Sequence, residues 1–110
     1  MNSSSTVESG ATTPRPRWDF LTSHGHVLLV ISRDSGIRLR DIATAVGITE
    51  RGAHKIVSEL VAEGYVLRER EGRRNRYKVR AELPLRHPLV EEQAIGDLLA
   101  VLHKSERQPA

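Results

Sequence analysis

The chain has no cysteine. That absence excludes disulfide scaffolds, thiolate metal sites and thiol redox sensing. Aromatic residues are nearly as scarce, with one Trp, one Phe and two Tyr in 110 residues. Trp18, Phe20, Tyr65 and Tyr77 are too few to build the stacking platform on which single-stranded nucleic acid lies. No apolar run reaches the roughly 18 residues of a membrane span. The first residues lack the cationic start and apolar core of a signal peptide. A cytoplasmic, nucleoid-associated location without membrane contact follows as the expectation. There is no Gly-rich phosphate loop, HExxH pair or nucleophile elbow. No catalytic residue, cofactor or enzymatic activity is therefore expected. The five histidines are His24, His26, His54, His87 and His103. His103 and Glu106 stand at i, i+3, but these are too few converging ligands for a metal site.

Basic charge is present, and it is uneven. From Tyr65 to Arg80 seven cations face two glutamates, a net +5, whereas the whole chain carries +3. A concentrated basic segment implies an anionic partner. By charge alone, a solvated charged hairpin is an equal reading.

Residues 1–17 read as a disordered tail and linker, rich in Ser and Thr and ending in Pro14-Arg15-Pro16-Arg17. Residues 18–86 read as one domain. Its first helix begins near Thr22 or Ser23 and shows an apolar face of Val27, Leu28, Val30 and Ile31. Gly36 suits a left-handed turn after it, and Ile37-Arg38 reads as a very short strand. A second helix runs from about Leu39 to Val46, with Leu39, Ile42, Ala43 and Val46 on one side. Gly47 closes it. Thr49 caps a third helix over residues 49–63, buried along Ala53, Ile56, Val57, Leu60 and Val61. A short Gly-containing turn between two amphipathic helices is the helix-turn-helix pattern. A strand then starts at Tyr65, and another spans Arg76 to Arg80. The turn between them is Glu71-Gly72-Arg73-Arg74-Asn75. Pro88 suits the first turn of a last helix, so 87–104 reads as a C-terminal helix and 105–110 as a frayed tail. The fold class is mostly α with a small β-hairpin wing (α+β).

The side of the third helix opposite its apolar stripe carries Glu50, Arg51, Gly52, His54, Lys55 and Ser58. Helix-turn-helix proteins put the first part of this helix in the major groove. Arg51 or Lys55 donates there to guanine O6 and N7, and Thr49 with the helix N-terminus contacts phosphate. Gly52 permits close approach to the DNA backbone or to the second helix, or is simply tolerated near a helix start. On the hairpin, Arg73 and Arg74 sit at the tip, flanked by Gly72 and Asn75, suited to phosphates or a narrow minor groove. Arg68, Arg70, Arg76 and Lys78 track phosphates along the strands.

The stretch from Leu39 to Tyr65, with its L-x-x-I-A-x-x-V-G-I-T and L-x-x-x-G-Y patterns, resembles the helix-turn-helix of bacterial MarR- and ArsR-type winged-helix regulators. Arg68 to Tyr77 is similar to their wing, and the compact, Arg-rich layout to small actinobacterial members. The resemblance implies a homodimeric transcription factor on double-stranded DNA. It carries Thr49, Glu50, Arg51, His54, Lys55 and Ser58 over as recognition positions, and Arg73 and Arg74 as wing tip. A small-molecule effector of undefined chemistry is compatible with that class.

Trp18, Phe20 and Leu21, together with Leu89, Ile95, Leu98, Leu99 and Leu102 of the last helix, are the expected dimerisation residues. The simpler reading packs the last helix on the first within one chain. A two-fold dimer demands an inverted-repeat site with half-sites about one helical turn apart. A competing function is a winged helix that binds an acidic protein partner.

Overall fold

The computed structural model describes residues 16–104. Most of the expected tail and all of the expected C-terminal fray lie outside the described residues.

The elements run α1 (Ser23–Arg33), α2 (Leu39–Val46), α3 (Glu50–Ala62), β1 (Val66–Glu71), β2 (Arg74–Val79) and α4 (Ile95–Lys104). Helix α1 starts because the Thr22 hydroxyl accepts the Gly25 N–H at 3.2 Å. It ends at Asp34, whose N–H donates back to Val30 and Ile31. The expected left-handed turn at Gly36 is not there; positive φ falls at Gly47, Gly64 and Gly72. The Asp34 carboxylate makes the turn instead, accepting the Gly36 N–H at 3.1 Å. No strand forms at Ile37-Arg38. The Ile37 N–H returns to the Asp34 carbonyl, and the only ladder-like bond of this stretch is Tyr77 N–H to the Ser35 carbonyl, 2.8 Å.

Helices α2 and α3 end alike. Gly47 and Gly64 adopt φ 87° and 86°. The next amides, of Ile48 and Tyr65, reach back to the carbonyls of Ala43 and Leu60. Between the helices, the Thr49 hydroxyl caps α3 by accepting the Gly52 N–H at 2.9 Å.

The hairpin is longer and tighter than expected. Pairing is antiparallel from Val66↔Val79 out to Glu71↔Arg74. The turn shrinks to Gly72-Arg73, with Gly72 at φ 66°. A left-handed first turn residue matches the twist of the flanking strands, which lets pairing continue to the tip. Arg74 and Asn75 therefore belong to β2 and not to the turn.

The last helix begins at Ile95, well after Pro88. Backbone bonds from Leu85 N–H to Gln93 and from Ile95 N–H to Leu83 fold residues 85–93 into a returning loop. Leu89 lies in that loop. The Asp97 carboxylate accepts the Ala94 N–H at 3.1 Å and sets the helix start. Gly96 leaves little room where α4 meets Ala81: a Cβ there would stand 3.0 Å from the Ala81 Cβ.

One core joins α1, α2, α3, the base of the hairpin and α4. Val27, Ile31, Ile42, Val57 and Val66 are its largest fully buried side chains, each contributing roughly 1.5–3 kcal/mol by burial. Ile95 and Leu99 of α4 lie in the same core, as does Tyr77 of β2. Among the described residues, the architecture is four helices with a two-stranded antiparallel wing. Among the described residues, no helix is long and apolar enough to cross a membrane.

Candidate nucleic-acid interface

The geometry of α3 follows from its buried stripe, Ala53, Ile56, Val57 and Leu60. At 100° per residue, Arg51, Lys55 and Ser58 fall on the opposite side. Arg51 and Lys55 are exposed, Ser58 half-buried. Glu50 and His54 are exposed along the borders of that face, and the exposed Thr49 precedes it. Gly52 has a local reason: a Cβ would come within 3.1 Å of the Thr49 hydroxyl that caps the helix. No atom of α2 is near enough to explain it.

Glu59 borders the same face on its inner side. Its carboxylate accepts from His24 of α1 at 2.7 Å and pairs with Lys55 at 3.3 Å. His24 first, then Lys55, hold it below the usual carboxylate range. Lys55 is thus lightly tethered along its own helix, whereas no ion pair or side-chain hydrogen bond engages Arg51 among the described residues. An exposed i, i+4 pair is weak, so Lys55 is readily released to another partner.

Alternation along the hairpin sorts its cations onto two faces. Val66, Arg68 and Arg70 share a face with Asn75, Tyr77 and Val79. Its inner half covers the core through Val66 and Tyr77; its outer half presents Arg68 and Arg70, both exposed. Arg73 is exposed in the turn. Among the described residues no ion pair or side-chain hydrogen bond holds any of these three arginines.

The opposite face is spoken for. Arg74 donates to the Gly36 carbonyl. Arg76 donates to Glu71 at 2.7 Å and to the Ser35 hydroxyl at 2.8 Å. The Glu71 carboxylate pushes the Arg76 guanidinium further up. Lys78 lies in the field of Glu82, which is itself bonded to Arg80 at 2.8 Å. Arg74 thus leaves the expected tip and fastens the wing to the loop after α1.

Two further cations, Arg38 and Arg40, stand exposed at the start of α2. The sequence signal was the Arg-Leu-Arg run leading into the helix; assigning residue 38 to a strand hid it.

The expected dimerisation residues divide in two. Phe20 is 90% and Leu89 87% exposed, and Trp18 meets Phe20 edge-to-face with ring centroids 5.2 Å apart. Ile95 and Leu99 are only 5% and 8% exposed, buried in the core of the single chain. Leu21, Leu98 and Leu102 are half-buried. An apolar cavity of about 890 Å³ opens between α1, the end of α3, the 85–90 loop and α4, walled by Leu28, Leu60, Tyr65 and Leu98. His103 is 2.7 Å from the Ser32 hydroxyl, and Glu106 lies outside the described residues. No group of three or more potential metal ligands occurs among the described residues.

No curated protein matches this chain. Residues 22–66, from the cap of α1 through α3 to the first residue of β1, match the family of winged helix-turn-helix DNA-binding domains.

Proposed function

We propose that the chain is a sequence-specific transcriptional regulator that reads double-stranded DNA. Helix α3 enters the major groove, and the wing lies along the backbone and adjacent minor groove. The observation that carries this reading is the pairing of two uncommitted cationic surfaces: the Arg51–Lys55 side of α3 and the Arg68, Arg70 and Arg73 side of the wing. Arg74 and Arg76 on the other face are hydrogen-bonded within the fold, Arg76 to a carboxylate, whereas Arg68, Arg70 and Arg73 have no such partner among the described residues. Base reading falls to Arg51 and Lys55, with Thr49, Glu50, His54 and Ser58 around them. Phosphate contact falls to the wing arginines.

The protein acts as a homodimer on an inverted repeat. The exposed Trp18–Phe20 pair and Leu89 support this, joined by exposed Val90 and Val101. Ile95 and Leu99 leave the dimer face because they complete the monomer core. The similarity of residues 39–80 to MarR- and ArsR-type regulators supports a bacterial transcription factor. The apolar cavity beside the end of α3 supports a small-molecule effector.

The test is selection of bound duplex fragments from a genomic library by purified protein, with sedimentation on the winning fragment. Enrichment of one palindromic motif, bound by two protomers, is expected. Binding that vanishes at physiological salt, or a monomer at micromolar concentration, would overturn the DNA or the dimer part respectively.

A further inference from the structure

The start of α2 and the wing face each other across a groove of about 310 Å³. Arg38 and Leu39 line it from the helix side; Arg73, Arg74 and Asn75 line it from the wing, with Gly36 between them. No carboxylate lines it. Three arginines among its lining residues, with no carboxylate beside them, concentrate positive charge there and favour an anion. We propose that this groove seats a backbone phosphodiester of the bound duplex, with Arg38 as its principal ligand. The assignment rests on the DNA-binding reading above and adds to it a contact point from a third element.

The chemistry fits a phosphodiester. Arg38 is exposed, and no ion pair or side-chain hydrogen bond occupies it among the described residues. Its planar donor fork matches two phosphate oxygens. Arg73 is equally unengaged, and Arg74 spends one nitrogen on the Gly36 carbonyl while its other donors remain. Asn75 adds a neutral amide. Ile37, Leu39 and Tyr77 complete the lining. At the helix start no side chain caps α2, and the first amides bonded to the Arg38 carbonyl are those of Asp41 and Ile42. The Leu39 and Arg40 N–H groups are left toward the same end, which favours an anion there. A phosphate held between α2 and the wing tip would fix the distance between the two reading elements on the duplex, a positioning role with no sequence information of its own.

Fluorescence anisotropy with the selected duplex and with a random duplex, from about 50 to 200 mM salt, tests this. Arg38→Ala is compared with wild type and with Arg40→Ala, a neighbouring cation that does not line the groove. Circular dichroism melting controls for folding. Arg38→Ala is expected to weaken both duplexes by the same factor, about 3- to 10-fold, and to lower the salt slope by about one. Arg40→Ala is expected to change the slope by less than half as much. Unchanged affinity and slope for a folded Arg38→Ala would overturn the groove assignment. Equal losses in the two variants would do so as well, by showing a diffuse field. A loss confined to the selected duplex would overturn it by showing a base contact. Absence of any duplex binding by wild type would instead strike the DNA reading itself, and is seen before any variant is compared.

Discussion

The two strands of the wing each carry a pair of arginines at alternate positions, yet the pairs have opposite fates. Arg68 and Arg70 of β1 are exposed and unengaged among the described residues, whereas Arg74 and Arg76 of β2 are bound to Gly36, Ser35 and Glu71. The cause is the neighbour. Strand β2 runs beside the loop after α1, which offers a carbonyl and a hydroxyl. Strand β1 packs instead against the end of α3. A guanidinium that meets acceptors becomes a brace, and one that meets none becomes a contact surface. Charge counted along the sequence does not separate these; the neighbour that each strand packs beside does.

The largest expected effect comes from removing the anchor that holds the two faces apart. Tyr77 is 3% exposed on the Arg68–Arg70 face and joins the hairpin to α1. Tyr77→Ala should cost about 3–5 kcal/mol by urea denaturation and blur the difference between the strands. An effect below about 1 kcal/mol would mean that the wing is not anchored through the core. Next, Arg51→Ala on α3 should lose about 1–3 kcal/mol of discrimination between the selected and random duplexes, with melting unchanged. Lys55→Ala should fall at the lower end of that range, since Lys55 already spends part of its charge on Glu59. Equal weakening on both duplexes would move these residues from base reading to phosphate contact. Smaller again, Arg76→Ala should lower the melting temperature only slightly, because the pair it loses is exposed. Anisotropy should show little change for this variant; a loss as large as that of Arg70→Ala would erase the distinction between brace and contact.

The smallest effect is acid sensitivity at the α1–α3 junction. His24 and Lys55 lower the Glu59 pKa in the folded protein from an ordinary 4.5. A carboxylate with a depressed folded pKa contributes stability fully above its unfolded value and loses it as pH falls through the folded one. Acid titration of the melting temperature should therefore be shallower in Glu59→Gln than in wild type below about pH 4.5. Parallel curves would remove this pair from the account.

Much of this arrangement was legible in the residues. The helix-turn-helix is written in local terms: Thr49 as cap, Gly47 and Gly64 at left-handed stops, and apolar stripes at helical spacing. Such features depend on neighbours within a turn or two. The misses involve partners that the periodicity of a single element does not show, whether near or far. Gly36 looked like the turn residue, but the Asp34 carboxylate made the turn. The start of α4 slipped from Pro88 to Ile95 because Leu83, Leu85 and Gln93 pair across a returning loop. Arg74 left the tip because pairing ran on to Glu71, and the carbonyl it then met is 38 residues away. Ile95 and Leu99 had the spacing of an exposed stripe, and only the packing of α4 on the core showed that they were already used.

The most direct test of the contact-and-brace distinction is the salt dependence of duplex binding for two double variants, Arg68→Ala with Arg70→Ala and Arg74→Ala with Arg76→Ala. Each removes two charges from one strand, so net charge is the same in both. The β1 pair should lower the slope of log affinity against log salt by roughly two, at about 0.9 per lost phosphate contact, with melting unchanged. The β2 pair should lower it by about half that or less, the remaining Arg74 donors in the α2 groove included, while lowering the melting temperature. Equal slopes for the two variants, or a larger loss from the β2 pair, would contradict the account.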